Sequence, residues 1–336
     1  MIRRLLLLIP VLIGVSILTF TILRLAGDPT LTYLQNPERA TPQQIAEIRD
    51  KFHLDEPLYV QYWYWLNGVL HGDMGYSKTA NLFTTDAIAA KFPATFELAI
   101  LATVFAVIMG VYLGTVSAIR VNSITDQSTR VIALVGVSIP VFWLGILLIM
   151  VFYNRLQWAP IPQGRYTFTR FDLASLHSHT GFLLIDTIWS RDWQFFVDVA
   201  KHLILPAVTL AFASTAIIIR MMRSSMLEVL GAEYVKTARS KGLPEKVVIR
   251  KHARRNALIP TTTVIGLSFG GLLGGAVLTE TVFSWPGLGQ WAAQAAMNLD
   301  TAAIMGFTLL TAVIYVLANL IVDVVYAYLD PRVRLG

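Results

Sequence analysis

Few residues in this chain have the type and spacing to do chemistry. His177 and His179 are the only close histidine pair, separated by Ser178. Two imidazoles make half a metal site, and a zinc centre needs three or four protein ligands. Spacing nominates no third ligand, and the pair sits among Ser and Thr, so it reads as a solvated loop. Glu280, in "TETVFSWPGLG", follows an apolar run. Its carboxylate could meet an ammonium group or a partner's basic residue; the alternative is a hydrogen bond at a helix end. Asp323 and Asn319 interrupt the last apolar run. An ionisable residue inside a span is a functional candidate by default. Asp323, however, lies only seven residues before Asp330-Pro331, about 10 Å along a helix. There Arg332 or Arg334 could neutralise it, and Asn319 suits a hydrogen bond between helices. No G-x-x-x-x-G-K-[ST], HExxH or G-x-S-x-G occurs. There are no cysteines, hence no disulfide and no thiolate metal site. Hydrolysis within the chain is unsupported, and no catalytic, cofactor or metal residue is assigned. Transport, sensing and scaffolding remain.

The most distinctive stretch is "EYVKTARSKGLPEKVVIRKHARRNALIP", Glu233 to Pro260. It holds eight Lys and Arg and two acids between two apolar runs. Glu233 to Lys241 favours helix. Gly242 ends it, as glycine does just past a helix. Pro244 opens a second helix with Glu245 in its first turn, running toward Asn256. Thr237 and Ala238 are small, and Gly242 removes a side chain at the bend. Such a helix–turn–helix suits docking into a cleft of another protein. A loop that merely orients the chain would need the charge but not the bend.

The elements that position this insert follow from composition. The chain has 336 residues, 55% hydrophobic and only 14% charged, with mean hydropathy +0.59. Soluble domains carry about 25% charged residues, so a multi-pass membrane protein is expected, and its basic balance reads as a topology signal rather than a nucleic-acid surface. Six runs approach the roughly 20 residues that span a bilayer: Leu5–Leu25, Leu98–Ile119, Val131–Phe152, Leu203–Met222, Leu258–Leu278 and Ala302–Tyr328. The first mimics a signal peptide, but its apolar stretch exceeds the usual length and no clear small-x-small site follows, so it reads as an uncleaved span, with a cleaved signal as the alternative. Sixteen of the 27 Lys and Arg fall on the side of both termini, against five of the 21 acids. Both termini and the basic insert are therefore expected in the cytoplasm.

The organisation expected is all-α: a first span over 1–25, an extracytoplasmic segment over 26–97, a membrane core over 98–329 containing the loop 223–257, and a tail over 330–336. In the outer segment, Thr41-Pro42-Gln43-Gln44 reads as a capping box. Tyr59, Tyr62, Trp63, Leu66, Val69 and Leu70 share one helical face, expected to pack on the membrane domain or lie at the interface. Residues 153–202 lack clear periodicity. In the fifth run, Gly266, Gly270 and Gly274 recur every four residues, with Gly271 and Gly275 as a second pair. They suit either close helix packing or a mobile helix beside a pathway. Pro140 and Pro206 permit kinks.

The basic insert resembles the "EAA" loop of permease subunits of ATP-binding-cassette importers, in which Ala is followed four residues later by Gly. Ala238 and Gly242 match; Lys236-Thr237 replaces the usual Glu-Ala, and the closing Leu258-Ile259-Pro260 arrives late. These departures themselves resemble the dipeptide, oligopeptide and nickel branch. So do "LAGDP" (Leu25–Pro29), "HGDMGYS" (His71–Ser77), "FPATFELA" (Phe92–Ala99) and "TETVFSWPGLG" (Thr279–Gly289). "TGFLLIDTIW" (Thr180–Trp189) looks most like the first permease subunit of dipeptide importers. The resemblance implies the type I importer permease fold in a bacterial inner membrane. It also implies a second homologous permease subunit, two cytoplasmic ATPases that bind ATP and Mg, and an extracytoplasmic peptide-binding protein. Glu233, Tyr234, Thr237, Ala238, Lys241, Gly242 and Leu243 would couple to an ATPase. Gly270, Gly274 and Glu280 are candidates for the pathway or gate.

Overall fold

The computed structural model describes residues 2–26, 30, 41–51, 53–176 and 180–329. His177 and His179, the tail from Asp330, and Gly27 to Pro29 of "LAGDP" lie outside them. The described residues are predominantly helical and form two compact units.

The first unit comprises Met1–Pro93 and Pro286–Val316. Helix α1 (Ile2–Ala26) meets α3 (Leu58–Leu70) through Ser16 and Tyr62, whose hydroxyls lie 2.8 Å apart, and Phe20 stands edge-on to Tyr62. Between them, α2 (Pro42–Lys51) starts with the expected capping box. The Gln44 amide donates to Thr41 Oγ1 at 3.3 Å, and the Thr41 amide donates to Gln44 Oε1 at 3.0 Å. This satisfies two amides that a helix start leaves bare.

The apolar face of α3, expected to pack on the membrane domain or lie at the interface, is only partly covered. Tyr62, Leu66 and Val69 are half-buried, but Tyr59 and Trp63 are 75% and 65% exposed. The most buried residue is Gln61, whose amide nitrogen donates to the carbonyls of Leu54 and Glu56 at 3.0 and 2.7 Å. Periodicity grouped the aromatics on one face without deciding between packing and the interface. The unpaired backbone of the loop before the helix instead required a polar side chain inward.

A two-stranded antiparallel pair, β1 (Tyr76–Ser77) with β2 (Leu82–Phe83), departs from the all-α expectation. Asn81 takes a positive φ of 53° in the turn between them, a conformation Asn tolerates. The pair is pinned by Asp300, which caps α13 (Thr301–Leu329) by accepting from the Ala303 amide at 3.2 Å. Asp300 also accepts from Ser77 Oγ at 2.7 Å and from the Thr79 amide at 2.9 Å, while Trp291 Nε1 of α12 (Leu288–Met297) donates to Ser77 Oγ at 3.3 Å. Ser77, the last residue of "HGDMGYS", is thus an interior staple.

The second unit comprises Ala94–Trp285 and Leu317–Gly336. Its frame is α4 (Thr84–Ile119), α5 (Ile124–Ser138), α6 (Val141–Leu148), α7 (Leu183–Trp189), α8 (Trp193–Leu230), α9 (Glu233–Ser240), α10 (Glu245–Val247) and α11 (Arg254–Val282). The core joins Leu98, Ala102 and Ala106 to Leu203, Leu210 and Ile218, with Leu272, Ala276 and Trp285. Helices α4 and α8 touch at Gly110 and Gly114. A Cβ added at Gly110 would lie 2.5 Å from Ile218 Cγ2, and one at Gly114 would lie 2.7 Å from Met222 Cβ. Lipid tails are as apolar as Leu, so contact of this kind, not transfer from water, holds such helices together.

Among the described residues, α4, α8 and Thr301–Ile321 of α13 are long and apolar enough to cross a membrane. Two bent pairs raise the number to five, and the apolar part of α1, Ile9–Leu25, is shorter. The run Val131–Phe152, expected as one span, is broken: α5 and the helix over Val141–Arg155 meet at 110°. Pro140 disfavours the helical region for Ile139, which takes φ −82°, ψ 126°, and the new helix starts after the proline. Pro206 stays inside the unbroken α8.

The described residues of 153–202, a segment without period in sequence, are ordered by carboxylates that receive backbone amides. Asp172 accepts from Ala174 N, Asp186 from Thr180 N and Gly181 N, Asp192 from Phe195 N, and Asp198 from Thr167 N. Phe171 and Phe195 stack at 4.7 Å over this scaffold.

Candidate functional site

The basic insert forms the expected helix, turn and helix. Helix α9 ends at Lys241, whose amide donates to Thr237 O at 3.1 Å. Gly242 then adopts φ +77°, the left-handed region that glycine enters without a Cβ penalty. Nothing lies within 4 Å of where its Cβ would be. The chain's own atoms would therefore admit a side chain there. Across the turn Arg239 clasps Glu245 with two hydrogen bonds, Nε to Oε2 at 3.1 Å and a terminal nitrogen to Oε1 at 2.7 Å. After α10 the ladder switches to π-type over Val248–Ala253 and then returns to α in α11, so the second helix runs without a break into the fifth apolar run.

Two faces result. Inward, Val235 and Ala238 bury against Val248 and Val229. Ala238 is small because it packs inside the insert itself. Outward, Glu233, Tyr234, Thr237, Lys241, Gly242 and Leu243 are all exposed. Thr237 turns its hydroxyl back to Glu233 O at 3.0 Å, and Lys236 reaches Glu233 at 2.7 Å. Tyr234 bonds Asn256 at the start of α11, and partial burial raises its phenol above its ordinary pKa, opposed by that bond. Six of the seven residues expected in the loop thus share its solvent-facing side, and Ala238 braces them from beneath.

The other candidates lie apart from this surface along the chain. Gly270 is buried within α11, and Gly274 continues the same helix. Glu280, near the end of α11, is fully buried and accepts from Thr95 Oγ1 at 2.6 Å. The structure gives Glu280 an interior hydrogen bond to a distant helix rather than the helix-end or turn bond weighed as its alternative, and its carboxylate is buried.

Glu280 belongs to a cluster that sequence reasoning left unassembled. Trp285 Nε1 donates to Ala94 O at 3.0 Å. Glu97 accepts from Arg165 at 2.5 Å and from the Leu184 amide at 3.0 Å. Three near-neighbours in "FPATFELA" (Ala94, Thr95 and Glu97) therefore hold three separate segments. A charge beside an apolar run was the visible signal at Glu97; its partner Arg165 lay in the segment without period. A second missed cluster joins α5 to α8. Asp126, wholly buried, receives Arg223 through Nε at 2.8 Å and a terminal nitrogen at 2.9 Å, and Ser117 Oγ at 2.5 Å.

The sequence matches two family models. Residues 106–335 match the binding-protein-dependent transport system inner membrane component. Residues 1–99 match the N-terminal part of the corresponding membrane component. The chain is 46% identical over 334 residues to the dipeptide transport system permease protein DppB of Alkalihalophilus pseudofirmus, covering 99% of this chain and 98% of that one. It is 42% identical over 334 residues to the DppB of Escherichia coli K12, covering 99% and 97%. It is 43% identical over 333 residues to the di/tripeptide transport system permease protein DppB of Pseudomonas aeruginosa, covering 99% and 97%.

Proposed function

The chain belongs to the family of binding-protein-dependent transport system inner membrane components, and from that premise we propose that it is a permease subunit of an ATP-driven importer of di- and oligopeptides. Its relatives named for dipeptide and di/tripeptide transport support the substrate class. In this reading a second, homologous permease completes the pathway between the two subunits. An extracytoplasmic binding protein delivers peptide, and two cytoplasmic ATPases supply ATP hydrolysis with Mg. The chain holds no P-loop of its own. It crosses a bacterial inner membrane six times, with both termini in the cytoplasm. The segment 26–97 lies outside, and the core 98–329 carries the coupling loop 223–257.

The observation that carries the reading is the two-faced insert. Its inner face is closed by Val235, Ala238 and Val248, and its outer face presents Glu233, Tyr234, Thr237, Lys241, Gly242 and Leu243. A bend clasped by Arg239 and Glu245 over a buried Val235–Ala238–Val248 face is a shaped surface that a partner can push. Movement of that surface reaches α11 directly, because the helical path is unbroken. Gating is then a two-state switch biased by nucleotide and by the loaded binding protein.

The test is reconstitution of the chain with its co-purifying subunits. Peptide uptake should follow ATP and persist when the proton gradient is abolished. ATPase activity should rise when peptide-loaded binding protein is added. Uptake that follows the proton gradient with ATP absent would overturn the proposal.

A further inference from the structure

We propose that the groove between α4 and the start of α11 binds an anionic phospholipid of the cytoplasmic leaflet. The groove has a volume of about 560 Å3. One wall is Ile108, Val111, Tyr112, Val116 and Ile119, a single helical face. From Ile108 to Ile119 that face runs about 16 Å, roughly one leaflet of a hydrocarbon core about 30 Å thick. Ile108 and Tyr112 are more than half exposed, an apolar wall that a soluble surface would not leave open.

The mouth of the groove is basic. Arg250 and Arg254 line it one helical turn apart. Arg254 directly follows Ala253, which shares a buried cluster with Ala257 and with Ala118, the neighbour of Ile119, so this end of α11 lies by the Ile119 end of the wall. Three carboxylates of the same loops and helix ends are engaged elsewhere: Asp126 with Arg223, Glu233 with Lys236 and Glu245 with Arg239. Apolar depth of one leaflet beneath two arginines complements an acyl chain beneath a phosphate. Basic pockets between helices on the cytoplasmic side hold anionic headgroups in this way. The leaflet rests on the orientation proposed above; the headgroup preference does not.

The experiment places the photoreactive residue p-benzoylphenylalanine in the full chain within its importer complex, as Tyr112→p-benzoylphenylalanine and, separately, Ile108→p-benzoylphenylalanine. Nanodiscs carry equal phosphatidylglycerol and phosphatidylcholine, and adducts are weighed by mass spectrometry. Each arginine near a membrane surface favours an anionic lipid by about fivefold, so roughly 25-fold enrichment of phosphatidylglycerol adducts is expected for the pair. Arg250→Gln with Arg254→Gln should bring the two lipids near parity. Equal adducts with both arginines intact would overturn the proposal. So would adducts to a second permease, or to residues 330–336 of this chain, in place of lipid. Labelling of Ser240→Cys from outside the cell would overturn the leaflet and the proposed orientation together, while leaving the adduct ratio as a separate result.

Discussion

Arg165 donates to Glu97 at 2.5 Å, and both side chains are buried, 10% and 7% exposed. One lies in the segment 153–202 and the other near the start of an apolar run. A buried pair of this kind contributes little net stability, but removing one partner strands the other charge and costs about 3–5 kcal/mol. Glu97→Gln is expected to destabilise the protein on that scale and to expose 153–202 to protease. Glu97→Gln combined with Arg165→Met should cost clearly less than the two single changes added. Unfolding in detergent measures both, and strict additivity would show that the pair is not coupled.

The Asp126–Arg223 brace gives a second expectation. Arg223 grips both carboxylate oxygens, and lysine cannot reproduce that fork. Asp126→Asn should cost about 1.5–3 kcal/mol, the range of a hydrogen bond to a charged group. Arg223→Lys should also destabilise, despite keeping the charge. Thermal unfolding checks this; an Arg223→Lys protein as stable as the parent would mean that charge alone matters there.

Glu280 and Thr95 separate an interior role from a pathway role. The 2.6 Å bond between them predicts that Thr95→Val and Glu280→Gln lower stability by similar amounts, about 1–3 kcal/mol. Uptake per folded importer should then be similar in the two variants. A transport defect confined to Glu280→Gln would assign its carboxylate to the pathway.

Gly242 distinguishes docking from simple orientation. Its φ of +77° makes any other residue strained by about 1 kcal/mol, which the loop can bear because the space around it is open. Gly242→Arg should therefore reach the membrane, abolish uptake and remove stimulation of ATPase activity by loaded binding protein. Lys246→Gln, which keeps the bend, should be nearly silent. Normal uptake in Gly242→Arg with failure in Lys246→Gln would leave electrostatics as the loop's only role.

What the sequence determined by itself was local or statistical. The capping box at Thr41 and Gln44, the glycine turn after Lys241 and the helices of the long apolar runs depend on residues within a turn or two of each other. Near-neighbour hydrogen bonding and φ preference encode such features directly. The resemblance carried by "TARSKGL" and "TETVFSWPGLG" extended that reading to a family. Tertiary structure alone decided which face of Leu58–Leu70 turns inward, because the carbonyls of Leu54 and Glu56 needed Gln61. It also decided that Pro140 breaks a span while Pro206, buried in the core, does not. The pairing of Glu97 with Arg165, 68 positions apart, and of Asp126 with Arg223, 97 apart, follows from chain topology. A carboxylate in sequence does not say which distant guanidinium it will meet; the packing of whole helices brings the two together.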